Sequence, residues 1–186
     1  MSPKEPPFTK SLSKLCWLYE TLDYDVSECF YYVEPVKTNF GTYSIQFVLL
    51  LKDICGGIDS LLHYWYKYKG GKKGKPKFPD YYGHLTKRKF LGEDYHAEIN
   101  MHKGLWLTKN PGLIITPLGE WIGGKSPSWW EEHQKIKHQF GVRNFSKGNL
   151  KNTLYSLGAF YLLLHDEWTR TTSPLRTEVW HPRCRW

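Results

Sequence analysis

TYSIQFVLLLKDICGGIDSLLHYWYKYK, Thr42 to Lys69, is the stretch that decides the fold. Tyr43, Phe47, Leu50, Ile54, Ile58, Leu61 and Trp65 recur at intervals of three and four, the spacing that stacks side chains along one face of an α-helix. The stripe predicts a helix of about seven turns with that face against a core. Gly56-Gly57 interrupts it, and glycine inside a helix costs about 1 kcal/mol relative to alanine. The pair therefore predicts either a kink or a place where another helix comes close.

Upstream, LSKLCWLYETLDYDVSECFYYVEP (12–35) reads as one helix or two short ones. It ends before Pro35, because proline disfavours helix in the residue that precedes it. Downstream, GGKKGKPKFPD (70–80) breaks the pattern into a solvated loop. Its Lys72, Lys73, Lys75 and Lys77 read either as a flexible linker or as a phosphate-contact patch. From 81 to 124 the signal is mixed, and KGLWLTK (103–109) and GLIITPL (112–118) suggest two extended segments or a short β-hairpin around Asn110-Pro111.

SPSWWEEHQKIKHQF (126–140) then restarts helix. Ser126 can cap with Pro127 in the first turn, or Ser128 and Glu131 can form a capping box. Gly141 stops it. A last helix runs from about 146 to 168, with Leu150, Leu154, Leu157, Tyr161 and Leu164 on one face, and the tail 169–186 has no period. The expectation is a single all-α domain over 1–186: a helical bundle of four to five helices with an insertion at about 70–125 and an irregular tail.

The charge of the 186-residue chain is +8, which favours polyanionic partners such as RNA in encounter and non-specific affinity. Aromatics make up 17%, and they serve cores and stacking surfaces equally. Cys16, Cys29, Cys55 and Cys184 form no CxxC pair and read as reduced thiols. The first residues lack an apolar signal region, and the runs FVLLL and AFYLLL are too short to span a bilayer. A cytoplasmic protein that does not enter membranes is expected.

Eight histidines are present without an H-E-x-x-H or a zinc-spaced Cys/His cluster. His133 and His138 are five apart, about 140° around a helix, too far apart in angle to chelate one ion. No metal or cofactor is expected. GGKKGKPK lacks phosphate-loop spacing and follows a helix, and no G-x-S-x-G elbow occurs. What remains is the helix carrying His133, Lys137 and His138. Its plain reading is a core anchor, with Trp129 or Trp130 buried and Lys135 and Lys137 in water.

WWEEHQKIKH (129–138) followed by KGNLKNTLYSLGAFYLLL (147–164) resembles the C-terminal half of HEPN-like proteins, in which a W-x-x-Y-N-x-x-K-H helix precedes one rich in N-L-x-N and leucine. YYVEPVKTNFGTYSIQFVLLLKDICGGIDSLL (31–62) is similar to the first half of the same branch. The resemblance implies an all-α bundle, often a homodimer, from toxin–antitoxin, phage-defence and RNA-processing settings. Active members are metal-independent ribonucleases with an R-x4–6-H motif, in which His assists attack by the ribose 2′-OH and Arg stabilises phosphate charge.

His138 matches the motif histidine, but the positions five to seven before it are His133, Glu132 and Glu131. The motif is degenerate. The resemblance implies His138 and His133 as the catalytic candidates, with Lys137, Arg143 and the Lys72–Lys77 loop as RNA contacts. The alternative is a non-catalytic module for dimerisation or for a protein partner such as an antitoxin.

Overall fold

Two strips of chain 106 positions apart are paired where two long helices begin. Tyr43 and Asn149 form an antiparallel bridge. The Leu150 N–H donates to Thr42 O at 2.8 Å, and the Ser44 N–H donates to Gly148 O at 3.3 Å. The computed structural model describes residues 7–68, 78–83, 97–99, 113–121, 125–138 and 142–172. Lys72, Lys73, Lys75, Lys77, the segment 103–109, Cys184 and the tail from 173 lie outside the described residues.

The elements are α1 (Pro7–Cys29), a 3-10 turn (Lys37–Asn39), α2 (Ile45–Tyr68), a 3-10 turn (Phe78–Tyr81), β1 (Ala97–Ile99), β2 (Leu113–Ile115), α3 (Ser128–His138), a 3-10 segment (Val142–Lys147) and α4 (Leu150–Thr172). The architecture is an all-α bundle with a small two-stranded insertion. β2 falls within GLIITPL, as the sequence suggests, and pairs antiparallel with Ala97–Ile99; the other expected extended segment, 103–109, lies outside the described residues.

Both helices that leave the bridge are capped by their own sequence. Ser44 Oγ accepts the Phe47 N–H at 3.1 Å, and Asn149 Oδ1 accepts the Asn152 N–H at 2.9 Å, each satisfying a first-turn donor. Asn152 in turn donates to Lys147 O at 2.8 Å. The N-L-x-N pattern is thus a helix-start device. Tyr43, counted in the periodic stripe, stands before α2 in the bridge and is exposed. Phe47, Leu50, Ile54, Ile58, Leu61 and Trp65 are buried as the stripe predicts, each such side chain contributing about 1.5–3 kcal/mol.

α2 and α4 start together at the bridge and run parallel. α1 is antiparallel to them: its end at Cys29 meets Phe47 at the start of α2, and its Leu18–Tyr19 turn meets Gly57 and Phe160. The bridge also demands a bare backbone at Gly148, where an added Cβ would sit 2.7 Å from Val48 N and Cα. One cluster of buried side chains joins α1, α2, α3 and α4. α4 continues to Thr172, past the expected end near 168, so the irregular tail does not begin at 169. No described helix is long and apolar enough to cross a membrane.

Candidate functional site

α3 is held at its start from outside its own sequence. The Ser128 N–H donates to Glu120 Oε2 at 3.0 Å, placing a carboxylate at the positive end of the helix dipole. Partial burial pushes the Glu120 carboxyl up, but bonds from Ser128 and the charge of Lys151 outweigh that and hold it below the usual range. Trp129 Nε1–H donates to Pro117 O at 2.8 Å. These two anchors set the roll of the helix. Trp129, Trp130, His133 and Ile136 turn inward, while Glu131, Lys135, Lys137 and His138 turn to solvent.

The two candidate histidines therefore part. His133 is only 5% exposed, its ring 5.1 Å from that of Trp130. Burial, and then the nearby charges of Lys137, Lys52 and His138, lower its pKa from 6.5 to about 4. It is neutral at pH 7. His138 is exposed at the last residue of α3. The structure places them on opposite sides of one helix rather than at one surface.

The chain then folds back against the end of α3. Asn144 Nδ2 donates to Lys135 O at 3.4 Å, and Lys147 reaches Glu132 at 3.1 Å. Arg143, beside Asn144, is exposed next to the last turn that carries Lys137 and His138. Other cations near this face are matched: Lys135 with Glu132 at 2.8 Å, Lys147 with Glu132 and Lys151 with Glu120 at 3.7 Å. Burial pushes Glu132 up, but the Lys135 and Lys147 hydrogen bonds hold its carboxyl below the usual range. Lys137, His138 and Arg143 have no acidic partner among the described residues.

Lys52 of α2 comes close enough to His133 for its charge to bear on that ring, and it is missing from the sequence-derived set. Its polar position in α2 was visible, but its neighbourhood with α3 depends on tertiary packing. The predicted Lys72, Lys73, Lys75 and Lys77 contacts lie outside the described residues. Elsewhere, burial raises the Cys16 thiol to about 12, helped by Glu20, and raises Cys55 strongly; neither is a thiolate nucleophile at neutral pH. Among the described residues, no three His, Cys, Asp or Glu side chains form a group that could hold a metal ion.

The geometry can therefore bind an anion by charge at one helix end. It places one imidazole in solvent there and buries the other. No known family model, curated protein or solved structure matches this chain. The HEPN resemblance rests on the quoted sequence patterns alone.

Proposed function

We propose that this protein is an RNA-binding helical bundle that holds phosphates with the end of α3 and the segment after it, without cleaving them. One observation carries this reading. Lys137 and His138 at the end of α3, and Arg143 in the segment that folds back on its last turn, are exposed and without an acidic partner among the described residues, while Lys135, Lys147 and Lys151 are neutralised. Surface charges left uncompensated repel one another, and a polyanion relieves that repulsion by releasing its counterions. The HEPN resemblance selects RNA over DNA.

The burial of His133 argues against turnover. Attack by a ribose 2′-OH needs a proton acceptor and a donor within reach of the substrate. A histidine packed under Trp130 and neutral far below pH 7 supplies neither to RNA outside. The arginine of the active motif has no counterpart five to seven residues before His138.

The test is the salt dependence of binding to a labelled single-stranded RNA. Each neutralised phosphate contributes about −0.7 to the slope of log K against log salt, so Lys137 and Arg143 together give about −1.4. Lys137→Gln with Arg143→Gln removes about 1.4 of that slope. Salt-insensitive binding by the unaltered chain, or an unchanged slope in the variant, sinks the proposal.

A further inference from the structure

RNA binding makes no use of the opposite charge that the chain concentrates elsewhere. From Glu20 to Val36 stand five carboxylates, Glu20, Asp23, Asp25, Glu28 and Glu34, with no Lys, Arg or His, in a chain whose net charge is +8. Where this segment meets the start of α2, a cleft of about 410 Å³ opens, within the ~300–1,000 Å³ range of ligand pockets. Phe47 and Val33 supply apolar wall, with the Cys29 side chain beside them. Asp25, Glu28 and Tyr32 also line it, and Tyr32, 89% exposed, stands at its mouth.

Tyr24, Tyr31, Tyr43, Ile45 and Leu49 are exposed on the elements around the cleft. Aromatic side chains grouped around a recess are what protein interfaces use as anchors. Neither Asp25 nor Glu28 has a cationic partner among the described residues; Glu28 accepts a hydrogen bond from Tyr24. Such a surface repels a polyanion. It asks for an occupant with an aliphatic body and a cationic end.

We propose that this cleft docks an arginine-bearing segment of a protein partner. The methylene stem lies along Phe47 and Val33, and the guanidinium reaches the Asp25 and Glu28 carboxylates while stacking on Tyr32. Arginine fits better than lysine because its planar, weakly hydrated head stacks on an aromatic ring and forks onto carboxylates. This inference stands independently of the RNA reading, since it uses another face and the opposite charge.

The probe is a fluorescein-labelled peptide of alternating Arg and Leu, titrated into the full chain, beside a counterpart with Glu in place of Arg. The Arg peptide binds and the Glu peptide does not. Asp25→Asn with Glu28→Gln, near-isosteric changes at solvent-accessible positions, weakens Arg-peptide binding about tenfold or more, while RNA binding is not weakened. Tyr32→Ala weakens peptide binding severalfold. Equal binding of both peptides, or unchanged affinity in the double variant, overturns the proposal. So does a concentration-dependent dimer that the double variant abolishes, because the cleft is then occupied by a second copy.

Discussion

The imidazole of His133 lies under the indole of Trp130, ring centroids 5.1 Å apart and planes tilted by 54°. Gln134 Nε2 donates to His133 Nδ1 at 3.3 Å, which leaves the neutral ring its proton on Nε2. A side chain that looks like half of an acid–base pair is thus built into the packing of α3. It reports on folding rather than on substrate.

That placement predicts a pH dependence of stability with a definite sign. In the unfolded chain His133 takes up a proton near 6.5, and in the fold only at about 4. Above 6.5 it is neutral in both states and contributes no slope. As pH falls from 6.5 to about 4, the unfolded chain gains a proton that the fold refuses, so stability drops, by about 3 kcal/mol in all. Urea midpoints measured across this window decline in the unaltered chain and flatten in His133→Gln. Glu120 and Glu132, whose carboxyls are held below 4.5, lose their contribution only as pH falls past about 4.5, so the decline between 6.5 and about 5 is the part that reads His133. An undiminished decline in the variant refutes the assignment.

The glycine pair in α2 predicts opposite outcomes for neighbouring substitutions. A Cβ at Gly57 comes 2.7 Å from Cε1 and Cζ of Phe160, and that ring is itself packed edge-on against Tyr19 with centroids 5.7 Å apart. Gly57→Ala destabilises by about 1–3 kcal/mol, and Phe160→Leu in the same chain recovers part of the loss. At Gly56 a Cβ meets nothing within 4 Å, so Gly56→Ala stabilises by about 0.5–1 kcal/mol. Thermal unfolding of the two single variants decides it; shifts of the same sign contradict the packing.

Glu120 is the cap of α3 supplied from eight residues upstream. Glu120→Ala removes the acceptor for the Ser128 N–H and lowers stability by about 0.5–2 kcal/mol. Glu120→Gln keeps an acceptor and loses less. Ser128→Ala measured beside them separates the hydroxyl from the backbone donor. If Glu120→Ala leaves the unfolding midpoint where it was, the helix start is being held by something else.

The helices were legible wherever a buried stripe wrote itself at threes and fours, as in Phe47 to Trp65. What escaped was non-local. Tyr43 continues the period of α2 by spacing, yet a bridge to Asn149 takes it out of the helix. Leu113–Ile115 reads as a strand from its branched residues, but its partner 97–99 carries no hairpin signal that points to it. Ser128 announces a helix start, while the carboxylate that bonds its N–H comes from Glu120, outside the expected S-x-x-E box. At the site, the exposure of His138 follows from Trp129, Trp130 and Ile136 facing inward, because it stands on the far side of the helix from them. His133, four residues after Trp129 and three before Ile136, falls on the buried face by the same spacing, while the depth of its burial and the lowered pKa that comes with it depend on tertiary packing.

The last prediction separates binding from turnover. Incubated with labelled RNA in EDTA, the full chain retains RNA and yields no fragments. Loss of metal ions is irrelevant to this outcome, since the active chemistry of the resembling family uses the RNA's own 2′-OH as nucleophile. His138→Ala weakens binding and Arg143→Gln weakens it further, because both side chains sit at the uncompensated end of α3. His133→Gln, folded at neutral pH, binds as the unaltered chain does, because its ring never reaches the RNA. Fragments ending in cyclic phosphate that persist in His133→Gln but vanish in His138→Ala would reverse the binding-only reading. If Arg143→Gln abolished them as well, the missing arginine of the motif would be supplied from beyond the histidine, by the segment that folds back onto Lys135.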